Sequence, residues 1–215
     1  ETDVETDSEE EEDDSDHTGR GSLSQEEKES LREKVGHQSH SFYFEGGISS
    51  YVRHINKNRE ALIDPPMYVE RELNSVVVEL SLAYTNDFKE HTYTFANNIN
   101  TAEGGTHLTG FKTALTRAIN DYAKKHSVVE KGTTLTGEDV REGLTCILSI
   151  KLAEPQFEGQ TKAKLGNTEV RSIVETITTS ALGEYLEEHP AEAKKIIEKC
   201  SLSARARMAA RAARD

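Results

Sequence analysis

Strand and helix patterns are interleaved along the chain, which predicts a mixed α+β fold. Three observations carry that expectation. Ser75–Tyr84 opens on Val76-Val77-Val78 and then alternates Val78, Leu80, Leu82 and Tyr84, the period of a half-buried strand. Leu144–Leu152 is rich in β-branched and aliphatic residues, with Ile147, Leu148 and Ile150. Leu108–Lys124 and Thr168–Glu188 repeat their apolar residues at helical spacing: Leu108, Phe111, Leu115, Ile119 and Tyr122 in the first, Val170, Ile173, Val174, Ile177, Ala181, Leu182 and Tyr185 in the second.

The elements follow in order. Residues 1–16 hold eleven acidic residues and no Lys or Arg, leaving 28 acidic residues against 26 basic ones elsewhere in a chain of formal charge −13. The acidity is therefore local, not a salt adaptation spread over a folded surface. Residues 1–22 are expected to be disordered, because dense like charge without apolar periodicity cannot offset the entropy of ordering. Ser24-Gln25-Glu26-Glu27 has capping-box form and starts a short predicted helix to about Val35 within a linker, residues 23–39. Gly46-Gly47 leads into a helix from Ile48 to Asn56, with Ile48, Tyr51, Val52 and Ile55 on one face. Pro65-Pro66 marks a turn. His91–Asn97 is a second strand, joined to the first by Thr85-Asn86-Asp87, read as a hairpin connection.

Gly104-Gly105 reads as a turn into the Leu108–Lys124 helix, with His107 as its cap. Thr136 caps a short helix whose first turn holds Glu138-Asp139, favourable against the helix dipole. Pro155 to Gly166 is a polar, flexible loop. Pro190 breaks the helix before it. The last segment, residues 190–215, is a basic helix; from 191 onward it carries seven basic residues against three acidic ones. Its Arg207, Arg211 and Arg214 form a stripe suited to a solvated face, to phosphates or to an acidic partner.

No apolar run is long enough to cross a membrane, and no signal peptide is evident. Cys146 and Cys200 are far apart and read as buried thiols of a reduced, cytoplasmic protein. His37 and His40 have metal-like spacing, but no cluster completes a site, so no metal is expected. No Gly-x4-Gly-Lys-Ser/Thr phosphate loop occurs. The polar Gln160-Thr161-Lys162 stretch is the best chemical candidate, since a lysine is a mobile point charge suited to a terminal phosphate.

Taken together, Phe44-Glu45-Gly46-Gly47-Ile48, Asn97-Asn98-Ile99, Glu103-Gly104-Gly105-Thr106-His107-Leu108, Thr136-Gly137-Glu138-Asp139-Val140-Arg141-Glu142-Gly143-Leu144 and Gln160-Thr161-Lys162 resemble, in order and spacing, the transducer domain of the DNA gyrase B family. The resemblance covers roughly residues 40–215 and is nearly continuous from Ala96 to Tyr122. The topoisomerase IV counterpart of gyrase B is closely related. The resemblance implies a two-layer sandwich with a left-handed βαβ crossover over 40–189, and long C-terminal helices leading to a DNA-cleaving core. It implies an ATP-dependent type II topoisomerase (an isomerase), with ATP and Mg2+ bound mainly by a neighbouring ATPase domain. It implies that Gln160 and Lys162, with Lys164 as a further contact, sense the γ-phosphate, and that Lys112 and Arg117 face a DNA-holding cavity. Double-stranded DNA, the protein's own ATPase and cleavage domains, and gyrase A in an A2B2 assembly are the implied partners.

The family's ATPase domain would precede this segment and its cleavage domain would follow, so this chain by itself is expected neither to hydrolyse ATP nor to cleave or supercoil DNA. A segment of topoisomerase IV and a non-catalytic truncated homologue acting as a binding module are the alternatives. Within the latter, the acidic run and the basic helix would engage partners directly.

Overall fold

The computed structural model describes Ser24, residues 45–129 and residues 134–214. Beyond Ser24 itself, the expected helix to Val35 lies outside the described residues, as do the histidines at 37 and 40 and the acidic run. The chain divides into units Glu1–Phe42 and Tyr43–Asp215, and every helix and strand named below belongs to the second.

Helix α1, Gly47–Ile55, precedes a five-stranded sheet whose order is β1 (Met67–Leu73), β2 (Val76–Tyr84), β6 (Leu144–Lys151), β3 (His91–Ala96) and β4 (Ile99–Asn100). Strands β1 (Met67–Leu73) and β2 (Val76–Tyr84) pair antiparallel, with Leu73 opposite Val76. The two-residue link between them, Asn74-Ser75, has positive φ at both positions (52° and 60°). This is the twist that a tight hairpin demands. The same device recurs at Asn97-Asn98 (48° and 64°), which joins β3 (His91–Ala96) to β4 (Ile99–Asn100). The Asn97 side chain extends the ladder: its Nδ2 donates to the Leu152 carbonyl at 2.8 Å and its Oδ1 accepts from Leu152 N at 2.9 Å.

The sheet corrects the sequence reading at two points. First, β1 was not foreseen. Second, β2 and β3 do not form a hairpin through Thr85-Asn86-Asp87. Strand β6 (Leu144–Lys151) lies between them, antiparallel to β2 and parallel to β3. Thr85 N bonds the Gly143 carbonyl at 2.9 Å instead. A parallel β3–β6 pair needs a crossover, which here runs through β4, β5 (Gly104–Gly105), α2 (Thr106–Lys125) and α3 (Gly137–Arg141).

Strand β6 buries every residue except Lys151, as a strand covered on both faces must. Leu80 and Leu148, and Val78 and Ile150, pair across β2 and β6 and are fully buried. On the other face, the Thr145 hydroxyl donates to Asn56 Oδ1 at the end of α1, at 2.8 Å. Helix α2 packs along α4 (Thr168–Glu188), and their approach is close: a Cβ on Gly110 would lie 2.3 Å from the Arg171 carbonyl oxygen. Helix α4 buries Val170, Ile173, Val174, Ile177, Ala181, Leu182 and Leu186, while Tyr185 is half-buried and its hydroxyl bonds Glu192.

Pro190 occupies the first turn of a new helix, α5, Pro190–Ala212. A proline fits there because that N–H has no intrahelical partner. The first half of α5 is part of the main core through Ala193, Ile196, Ile197, Cys200 and Ala204. From Arg205 onward it is largely exposed. Both thiols are buried and free, and burial pushes the Cys200 thiol up to about 12.

Candidate functional site

Residues 155–166 are less of a loop than their composition suggests. Short strands β7 (Phe157–Glu158) and β8 (Lys164–Leu165) form an antiparallel hairpin, and β8 also pairs in parallel with β5. Glu103 N donates to the Ala163 carbonyl at 2.9 Å. Two motifs that stood out in the sequence are thereby brought to one three-stranded sheet: Gly104-Gly105 is one of its strands, and Gln160-Thr161-Lys162 lies in the turn that joins the other two. Gly105 is required at the junction. Its φ is 136°, and a Cβ there would lie 2.3 Å from the Leu165 carbonyl oxygen.

The tip of the hairpin, residues 159–162, is exposed. It is turned by Gly159 (φ 76°) and by Lys162 itself (φ 54°). A lysine in the left-handed region is uncommon, and here that conformation reverses the chain at the tip. Among the described residues neither Gln160 nor Lys162 has a side-chain hydrogen-bond or ion-pair partner. Lys164 differs: its ammonium is bound to Glu158 at 2.8 Å, and that bond holds its pKa above the ordinary lysine value. Two of the three sequence-predicted phosphate contacts are thus displayed, and the third is engaged at the hairpin's base.

Asn167 anchors the hairpin and was missed in the sequence. It is 3 % exposed. Its Oδ1 accepts from Gln156 N at 2.6 Å, while its Nδ2 donates to the Glu154 carbonyl and to Glu169 Oε1. It fastens the strand entering the hairpin to the first turn of α4. The position just before a predicted helix was the one signal in the sequence, but Asn167 makes no side-chain cap bond, so that signal pointed to the wrong role.

His107 also departs from expectation. It does not cap α2, whose N-cap is Gly105. It is fully buried, and Nε2 lies 3.0 Å from Thr101 Oγ1. The Thr101 hydroxyl also lies 2.9 Å from the Thr94 carbonyl, while Nδ1 is buried without a partner, a setting that favours the neutral ring. Desolvation lowers its pKa to about 4.

Lys112 and Arg117 lie on α2 and line a cleft of about 600 Å³ with Asp121 and Lys124. Neither cation stands free. Lys112 Nζ is 3.7 Å from Glu90, and Arg117 Nη2 is 2.8 Å from Glu175 of α4. The C-terminal arginine stripe divides in the same way. Arg207 is a structural residue: its Nε and Nη2 grip Asp139 at 3.0 and 2.9 Å. Asp139, 1 % exposed, is also the partner of Thr136 in the capping box of α3. Burial raises the Asp139 pKa, but the bonds from Arg207 and Thr136 outweigh burial and leave it below the usual carboxylate value. Arg211 and Arg214 remain exposed.

Among the described residues there is no group of three His, Cys, Asp or Glu able to hold a metal, and no helix long and apolar enough to cross a membrane.

Residues 47–215 match the family model described as DNA gyrase B. The DNA gyrase B protein of Halalkalibacterium halodurans is 52% identical over 179 residues, which cover 83% of this chain and 28% of that protein. Its counterpart in Clostridium acetobutylicum is 53% identical over 176 residues, covering 81% of this chain and 28% of that protein. Among solved structures, the 43K ATPase domain of Thermus thermophilus gyrase B, in complex with an aminocoumarin, superposes with a TM-score of 0.75 at 39% identity, covering 83% of this chain and 48% of that one. The topoisomerase IV ATP-binding domain of Francisella tularensis gives 0.69 at 29% identity, covering 81% and 47%. The chain thus spans little more than a quarter of these two curated relatives, and across that span it belongs to the DNA gyrase B family.

Proposed function

We propose that this chain is the transducer segment of a DNA gyrase B protein, the part of an ATP-dependent type II topoisomerase that couples nucleotide binding to passage of a DNA duplex. One observation carries the reading: the Gln160-Thr161-Lys162 tip is displayed without side-chain partners, on a hairpin tied at its base to β5, α2 and α4. An exposed ammonium on such a mount suits the γ-phosphate of an ATP held by a neighbouring domain, where charge spreads over the terminal oxygens. Gln160, exposed on the same tip, would donate to the same phosphate or orient a water. Lys164 joins only if it leaves Glu158. In this reading ATP and Mg2+ are held mainly by the neighbouring ATPase domain, and nothing in the hairpin binds the metal.

The rest of the assignment follows the family. The β3–β6 crossover is the left-handed one of the transducer fold, residues 40–189 form that domain, and residues 190–215 lead toward the cleavage core. The protein works in the cytoplasm with double-stranded DNA and gyrase A in an A2B2 assembly. DNA phosphates meet the α2 face near Lys112 and Arg117. Gyrase is preferred to topoisomerase IV because the gyrase B relatives reach 52–53% identity, against 29% for the topoisomerase IV structure.

The test places residues 40–215 behind a gyrase B ATPase domain and measures ATP turnover. Lys162→Ala is expected to lower turnover on the order of 100-fold, as loss of one preorganised charge donor does elsewhere, with the circular dichroism spectrum unchanged. Unchanged turnover in an otherwise active chimera would reduce the hairpin to a connector and favour the binding-module reading.

A further inference from the structure

The cations expected to meet DNA are already neutralised, and by carboxylates from distant parts of the fold. Glu90, just before β3, pairs with Lys112 of α2. Glu175, on α4, pairs with Arg117. These are tertiary contacts between separate elements, unlike the helical pairs that neighbouring turns make by default. The two carboxylates are not equivalent. Glu90 also accepts from Arg141 Nε at 2.9 Å and from the Thr92 hydroxyl at 2.9 Å, so it stays satisfied if Lys112 leaves. Glu175 has no ion-pair partner but Arg117 among the described residues. Its side chain is 21% exposed and that of Arg117 is 54% exposed.

We infer that Glu175 masks Arg117, so that a DNA phosphate approaching α2 meets a guanidinium already paired with a carboxylate, which competes for it and repels the phosphate. The inference rests on the proposed DNA-facing role of this surface. An exposed ion pair is weak enough to be broken by a phosphate, so the mask lowers affinity without abolishing contact. It also lowers the salt dependence of binding. A cation that swaps an internal carboxylate for a phosphate releases a DNA counterion but leaves the carboxylate to recruit a cation of its own. A surface that holds a duplex weakly suits passage, since a transported duplex must also be released. Glu90 masks Lys112 in the same sense, with a smaller effect because Glu90 keeps Arg141.

The experiment uses the whole 215-residue chain and a short fluorescent DNA duplex, with affinity read by anisotropy across a potassium chloride series. Glu175→Gln keeps the size of the side chain and a hydrogen-bond acceptor for Arg117, and thermal melts confirm that each variant folds. The mask predicts that Glu175→Gln binds roughly three- to tenfold more tightly at low salt. It also predicts a salt slope steeper by up to about 0.9. Arg117→Gln should weaken the parent and erase the gain in the double variant. If Glu175→Gln binds equally or more weakly, Glu175 merely positions Arg117 and the mask is overturned; a loss on Arg117→Gln in that same series would leave the DNA-facing reading intact. If Arg117→Gln changes nothing in either background, or no variant binds DNA at low salt, both ideas fall.

Discussion

His107 shows how one buried side chain links local sequence to pH. Its ring is enclosed beside β3 and the start of α2, where a charged imidazole would have no water. The neutral form is therefore favoured in the fold, and the pKa drops from 6.5 to about 4. In the unfolded chain it returns toward 6.5. Between those values the unfolded state binds the extra proton, so stability is full above the unfolded pKa and declines as pH falls toward the folded one. The expected loss from this residue alone is roughly 3 kcal/mol over that window. Urea denaturation at neutral pH and near the folded pKa should show a smaller pH difference for His107→Gln than for the parent. An equal difference would place the acid sensitivity elsewhere. At this scale the sequence was legible where partners are close along the chain. Thr136 and Asp139, one helical turn apart, were readable as a cap. Arg207, Glu175 and Asn167 were not, because their roles depend on residues that only the tertiary fold brings near.

At the scale of elements, α3 and α5 hold each other. The short helix α3 alone is too brief to be stable. It persists because Asp139 serves the cap and Arg207 together, while Glu142 accepts from the Ser203 hydroxyl at 2.6 Å. Asp139→Ala removes the reciprocal half of the capping box and leaves the Thr136 amide without its acceptor, an expected loss of about 2 kcal/mol by urea denaturation. Arg207→Gln should cost less. The double variant should be little worse than Asp139→Ala alone, because the two substitutions break one contact. Strict additivity would mean that the Arg207–Asp139 bond contributes nothing in solution. The carboxylate's lowered pKa makes this contribution complete at neutral pH and progressively lost on acidification through its folded value.

Elements also mark where periodicity failed. Strand β1 escaped because its exposed positions Tyr68, Glu70 and Glu72 give a polar edge strand directly after Pro65-Pro66. The β2–β3 hairpin was inferred from proximity in sequence. The true neighbour, β6 at Leu144–Lys151, lies far beyond β2 in the chain, and nothing local announces it. Helices α2 and α4, with long apolar stripes, were placed within one turn of their observed ends, and α5 begins at the predicted proline.

Across the whole molecule, the hairpin 157–165, helix α2 and helix α4 form one continuous path. The hairpin pairs with β5, β5 runs directly into α2, and α2 lies along α4, which ends where α5 begins. A signal arriving at Lys162 would reach both the cleft beside Arg117 and the C-terminal helix through packed elements. Such transmission needs an element with two arrangements that nucleotide binding biases, and we propose the junction at residues 161–166 for that role. The most direct measurement is hydrogen exchange on the ATPase–transducer chimera, with and without a non-hydrolysable ATP analogue. Slower exchange is expected at residues 159–166 with the analogue, accompanied by a change in the first turns of α4, and both effects should be lost in Lys162→Ala. Identical exchange in the two states, in a chimera that binds the analogue, would contradict this transmission.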